Sequence, residues 1–260
     1  MASGRQTVAP DFFQQDHHNG HSEQWNFTIQ RQLPNQMLVE AQYMANVAHN
    51  LGGRDVSLNT IPLVNGRGPE TQSQNLRPFP HFFGVQLESP TGGNSTDHAL
   101  NLKAEKRYSK DLSYLINYTW SKFIDDVEAA NKAGGEQGNG YTHIELRPLD
   151  KALSGNDIRN RIVASGVWDI PMELEDKAAR MVLGGWILGL IAEFRTPPHG
   201  VIEHTNRSNA FSGKPRPKLL RDPTLSSNHS TGDRLAEWFD TSAFTAPGVG
   251  VFGGSPRNIC

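Results

Sequence analysis

The segment Leu112–Lys122 sets Leu112, Tyr114, Ile116, Tyr118 and Trp120 on alternate positions, with Ser113, Asn117, Thr119 and Ser121 between them and only Leu115 out of pattern. A period of two puts successive side chains on opposite faces of a β-strand. One face is therefore aromatic and apolar, and the other is small and polar. The alternation runs for about ten residues, longer than the ~5–6 of an ordinary globular strand. Few folds use such a strand: one face must meet an apolar medium while the other meets water.

The same pattern recurs along the chain. Trp25, Phe27 and Ile29 alternate with Asn26, Thr28 and Gln30, Leu33-Pro34-Asn35 marks a turn, and Met37, Val39, Ala41 and Tyr43 carry the return. His98–Tyr108 and Leu112–Lys122 flank the turn Ser109-Lys110-Asp111. Ile158–Ile170, ended by Pro171, precedes a charged connection at Glu173–Arg180, and Leu183–Arg195 follows. Between these pairs lie connections at about 45–97, 125–157 and 196–236, far longer than the usual loop of a compact domain. They hold much of the chain's 25 Gly and 16 Pro, including Gly134–Gly140, and one amphipathic island, Glu237–Phe244, follows the last of them. Short turns at one end, long loops at the other, and apolar-out, polar-in strands are the plan of a transmembrane β-barrel. The expected fold is all-β, with antiparallel strands of a partial transmembrane barrel over residues 24–258. A soluble β-sandwich also alternates but normally uses shorter strands and less loop. Residues 1–23, with Asp16-His17-His18-Asn19-Gly20-His21, read as a polar, disordered lead.

Charge and composition narrow the function classes. Lys and Arg number 25 against 27 Asp and Glu, with no basic run, so no nucleic-acid partner is expected. The longest nearly uncharged apolar stretch, Met181–Ala192, is far below the ~20 residues a membrane helix needs. Met1–Pro10 lacks the apolar core of a secretory signal, so none is expected in this chain. The single cysteine, Cys260, provides no disulfide and no cysteine-rich metal site.

Several blocks carry a resemblance to a known family. They are Trp25–Arg31, Arg77-Pro78-Phe79-Pro80, His98–Asp126, Asp157–Val163, Leu183-Gly184-Gly185-Trp186, Trp238–Phe244 and Phe252–Asn258. In this order they resemble the C-terminal barrel of TonB-dependent outer-membrane receptors of the Oar-like type, which also carry a carboxypeptidase-regulatory-like domain. The resemblance implies a receptor or transporter in the bacterial outer membrane, surrounded by lipid, that binds ligand through long extracellular loops. It also implies a plug domain and the TonB energising complex as partners of the full-length family. Neither the plug, the TonB box nor the regulatory-like domain is recognised among these residues. The tight Pro-Phe-Gly turn of such receptors is replaced by Pro171-Met172-Glu173, and Thr196-Pro197-Pro198-His199 departs from the usual strand continuation. The chain is accordingly expected to be an internal piece of a receptor, whose six or so strands leave two open edges.

Tyr114, Tyr118, Trp120, Trp168 and Trp186 are the expected membrane-facing aromatics, in the belts that aromatic rings form at bilayer interfaces. A sugar-stacking platform is their alternative use. The second functional class is a soluble, esterase-like hydrolase. Its nucleophile candidates are Ser95, beside Asp97 and His98, and Ser165 in Ala164-Ser165-Gly166, although a Gly-x-Ser-x-Gly elbow is absent. His17, His18 and His21 have ring nitrogens able to ligate a transition metal, but no strand near them in sequence to fix their geometry. No cofactor is expected. Asp125-Asp126 is read as a strand-to-loop boundary, and Glu173, Glu175 and Asp176 as a solvated turn.

Overall fold

A computed structural model of the chain describes residues 8–53, 56–88, 90–109, 111–127, 141–171, 181, 185–197, 199–212, 216–225, 232 and 237–259. The glycine run 134–140, the charged connection 172–180, Leu183-Gly184 and Cys260 lie outside them.

Six long strands form one antiparallel sheet. In chain order the strands of the protein are β1 (Asp11–Phe13), β2 (His21–Leu33), β3 (Met37–Leu51), β4 (Val56–Ser57), β5 (Gln86–Glu88), β6 (Gly93–Ser109) and β7 (Leu112–Asp125). They are followed by β8 (Ala152–Leu153), β9 (Asn160–Asp169), β10 (Ile187–Arg195), β11 (Lys218–Leu219) and β12 (Phe244–Thr245). The large sheet runs β10-β9-β7-β6-β3-β2, with β8 added to the far end of β7. It stays open, with β2 and β10 as its edges. Pro34 enters the first hairpin, and Asn35 and Gln36 take φ of 61° and 59° to reverse the chain. Asp111 does the same at φ 62° in the second hairpin. Asparagine and aspartate tolerate this left-handed region better than most residues.

The register carries the sequence alternation across every strand. Leu100 lies opposite both Trp120 and Tyr43, and Tyr43 opposite Phe27. On the other side, Ile116 lies opposite Ala104 and Ala164, and Ala164 opposite Ala192. One face of the sheet is therefore mostly apolar, with Glu23, Arg31, Lys106 and Lys122 towards its two ends. The opposite face is lined by residues such as Thr28, Gln42, Asn101, Thr119, Ser165 and Glu193 in the intervening rows. A one-residue slip in any pair would exchange the faces.

The strands outrun the expected ones at the loop end. β6 begins at Gly93 rather than His98, β3 continues to Leu51 and β7 to Asp125. Gly93-Asn94-Ser95-Thr96-Asp97 has no apolar alternation to signal a strand. It is extended because β3 and β7 supply backbone partners on both sides. A further correction concerns the lead. His21 already belongs to β2, and β1 pairs in parallel with β5. Val8 and Pro10 accept from the Phe83 and Gln86 amides at 3.0 Å each. Main-chain hydrogen bonds fix this segment, and they leave no side-chain period to read.

The buried residues are not centred on the sheet. Among the described residues, only Ala45 and Ala48 of the large sheet are buried apolar side chains. Val56, Ile61, Val85, Val127, Tyr141, Ala210 and Ala243 are buried within the connections and their short strands. These connections pack into a cap at the loop end of the sheet. Gly250, at φ 68°, donates to the Arg207 carbonyl and accepts from the Gly68 amide at 2.8 Å, so three distant segments meet there. A Cβ on Gly68 would lie 2.1 Å from the Ser208 carbonyl oxygen, which explains the glycine.

The cap is fastened to the sheet by Arg257, which is buried and bonds both the carboxylate and the carbonyl of Asp125 at the end of β7. The Asn258 side chain donates to the Leu153 carbonyl of β8 at 2.6 Å. Arg257→Met strips Asp125 of a buried cation and should destabilise the cap by about 3–5 kcal/mol. Hydrogen exchange should show faster exchange in residues 141–157 and 237–259, with the β3–β6–β7 amides unchanged.

Candidate functional site

The sheet presents two chemically opposed surfaces and a cap. On the apolar face the large side chains are left uncovered: Phe27 is 64% exposed, Leu190 61% and Phe194 68%. A soluble sandwich would bury this face against a second sheet. Here nothing among the described residues covers it. Trp168 sits one row from the short-turn end, opposite Leu112 and Leu188, with Trp186 beside it and Tyr114 in the next row. Trp120, Tyr43 and Phe27 share a row further up, with Tyr118 just below. Eight residues separate the Leu112 row from the Trp120 row, ~27 Å along the strand and ~20 Å along the normal at a ~40° tilt. That is close to the ~25 Å apolar band of an outer-membrane barrel.

The opposite face is a hydrogen-bonded polar ladder. Ser22 donates to Asn46 at 2.6 Å, Gln30 to Glu40 at 3.0 Å and Thr119 to Asn101 at 2.8 Å. Lys103 pairs with Glu105 at 2.9 Å and Arg161 with Glu193 at 3.0 Å. Near the short-turn end a hollow of about 880 Å³ is lined by Glu105, Ser113, Leu115, Ser165, Val167 and Gly189, among others.

The cap is built on polar joints. Arg77 is buried and donates to the Asn59 carbonyl at 2.5 Å and to the Phe83 carbonyl at 2.9 Å, with its guanidinium 4.4 Å from the centre of the Phe211 ring. Burial holds it below the ordinary arginine range. Asn59, fully buried, bonds the Phe79 amide and the Phe79 and Phe82 carbonyls. Asp157 accepts from the Phe123 amide at 2.7 Å and faces His199 at 3.1 Å. Asp126 receives the Asn94 amide at 2.6 Å. His143 accepts from the Glu145 amide through Nδ1 and bonds the Ile61 carbonyl through Nε2, and burial lowers its pKa. It is the neutral imidazole that suits both contacts.

Thr142, Asp150 and Arg216 form a buried polar cluster. Asp150 receives the Thr142 amide at 2.9 Å and hydroxyl at 2.7 Å, and pairs with Arg216 at 3.0 Å. Removal from water raises the carboxyl and lowers the guanidinium, outweighing the pairing that would hold both charged.

The expected hydrolase residues are not brought together. Ser95 and Asp97 face the polar side of β6, while His98 points to the apolar side, where Nδ1 meets the Tyr43 hydroxyl at 2.8 Å. Adjacent strand residues cannot share a site across their own sheet. Ser165 lies on β9, opposite Leu115 and Ile191, two strands from β6. His17, His18 and His21 do not converge either. The His18 amide donates to Thr91, and the His21 ring lies 5.5 Å from His49. Among the described residues no group of three His, Cys, Asp or Glu side chains is placed to hold a metal. Sequence reasoning missed the cap joints Arg77, Asp150, Arg216 and Arg257. For Arg77 and Arg257 the signal was present, since both stand in blocks that resemble receptor sequence.

A long-stranded antiparallel sheet, bare and apolar on one face, polar on the other and capped at one end, defines an outer-membrane β-barrel protein. The chain matches the model of the outer membrane beta barrel domain family over residues 2–260 and belongs to that family. The comparisons with curated proteins and with solved structures return no match.

The raised Asp150 predicts a pH response of the cap. The folded state favours the protonated carboxyl, so this contribution is fully present below the ordinary aspartate value of about 3.9 and is lost as pH rises through the folded value. Proteolysis of the cap measured against pH should show that loss, and Asp150→Asn should remove it.

Proposed function

We propose that the chain forms part of the barrel wall of a TonB-dependent outer-membrane receptor of the Oar-like type. Its capped loops take the ligand, and its polar face lines the transport path. The observation that carries this reading is where the receptor-like blocks fall. Arg77, Asp125, Asp126, Asp157, Arg257 and Asn258 belong to them, and each is a joint of the cap. A receptor needs loops held in one shape, because a preorganised surface loses less entropy when ligand binds. The apolar face meets lipid in this arrangement. Tyr114, Trp168 and Trp186 lie at the interface on the short-turn side, and Tyr118 and Trp120 at the interface on the loop side.

The open edges belong to the same proposal. Within a bilayer, unpaired backbone groups along β2 and β10 would each cost several kcal/mol. Further strands therefore flank the sheet on both sides, with a plug domain inside the closed barrel and the TonB complex acting on that plug.

Neighbours on β9 test which face meets lipid. Ala164 lies on the apolar face and Ser165 on the polar one. In denaturant titrations from lipid, Ala164→Arg should cost about 2–4 kcal/mol and Ser165→Arg about 0–1. Equal effects would reject the assignment. The plug is tested in the native outer membrane with a photo-reactive residue at Asn101 or Thr119. Cross-links to a polypeptide inside the barrel are expected. Free labelling of cysteine at those positions by a water-soluble maleimide, with no cross-link, would mean an open pore and would sink the receptor proposal.

A further inference from the structure

The apolar face ends, on the loop side, in a feature that transport does not use. Lys122 follows Trp120 by two residues on the same face, ~7 Å further along β7. Beyond it Ile124 lies opposite Leu153 of β8. Segments 219–224 and 256–259 come against this patch and leave a hollow of about 870 Å³. Ile124, Leu153, Leu219 and Ile259 give it apolar walls. Lys122, Lys151 and Arg159 also line it, with Asp222 as the one carboxylate among the described residues.

These charges are not spent elsewhere to the same degree. Asp222 accepts from the Thr224 amide at 2.8 Å. Arg159 stands 3.6 Å from Asp157, a carboxylate already engaged by His199. Among the described residues no carboxylate lies within ion-pair distance of Lys122 or Lys151, while Lys103 on the polar face is paired at 2.9 Å. The strand register puts Lys122 and Ile124 on the side of the sheet away from the polar ladder, so a solute moving along that ladder does not pass the hollow.

We propose that this hollow seats the phosphorylated headgroup of a membrane lipid in the loop-side leaflet. Lys122 and Lys151 are the phosphate's counter-ions, Arg159 is a further donor, and the apolar walls continue the acyl-chain surface that ends at Trp120. The combination selects a lipid over a free anion: the cations attract phosphate, and the walls contribute only if the phosphate brings hydrocarbon with it. The proposal rests on the apolar face being the lipid face.

The test uses the full chain in mixed micelles, with lipid A as the probe and its fully dephosphorylated form as the comparison, bound lipid being read by native mass spectrometry. The expected result is retention of lipid A over the dephosphorylated lipid. Lys122→Gln with Lys151→Gln should weaken that retention by about tenfold or more. The corresponding double arginine variant should keep it, and Lys103→Gln, on the polar face, should leave it unchanged. Far-UV circular dichroism confirms that each variant keeps its strands. Equal retention of both lipids, an equal loss in Lys103→Gln, or displacement by millimolar inorganic phosphate would overturn the proposal. Quenching of tryptophan fluorescence by brominated phosphatidylcholine separates the two levels. Without quenching, the lipid-face assignment fails; with quenching but no selection of lipid A, only the headgroup site fails.

Discussion

The structure depends on one constraint: backbone amides and carbonyls of a chain beside hydrocarbon must pair with one another, because lipid offers them nothing. Antiparallel strands meet that demand continuously from β2 to β10. Pairing in one register then decides everything perpendicular to it. Each row across the sheet is wholly outward or wholly inward, so Phe27, Tyr43, Leu100 and Trp120 form one apolar row, and Thr28, Gln42, Asn101 and Thr119 one polar row. Side-chain burial contributes little within the sheet, whose outward side chains remain bare. The ladder and the surrounding lipid take the place of a hydrophobic core.

The packed interior lies instead in the cap, and its chemistry is unlike that of an ordinary core. Buried arginines and aspartates join segments more than sixty residues apart, as Arg216 joins Asp150 and Arg257 joins Asp125. Such pairs gain little stability over apolar packing, because desolvation offsets attraction. What they confer is geometry: a guanidinium with several fixed acceptors admits few arrangements. Loops facing water on one side cannot bury enough apolar surface to fold by that means alone, so specific polar joints hold them. The outcome is a packed platform at one end of a sheet whose two faces differ in chemistry.

Legibility in the sequence followed physical range. Alternation is a local signal, and Leu112–Lys122 disclosed its strand, its two faces and its place in an all-β membrane architecture. The extended Gly93–Asp97 was not legible, since its conformation is imposed by neighbours on both sides. Nor was the docking of Val8–Phe13, which rests on main-chain bonds to residues more than seventy positions away. Proximity in sequence does not make a site of Ser95, Asp97 and His98: on a strand His98 faces away from the other two. The blocks around Arg77, Asp157 and Arg257 marked important positions without revealing their partners.

The sequence by itself determined the central parts of the six long strands, the chemistry of their faces and the alternation of short turns with long connections, because these follow from a period of two and from local turn residues. The tertiary structure alone decided that the described parts of the long connections pack into one cap, that Arg257 closes on Asp125, and that Lys122, Lys151 and Arg159 meet around one hollow. Those contacts span large separations along the chain. No local pattern encodes which of many arginines will meet which carboxylate until the sheet has fixed where each loop begins and ends.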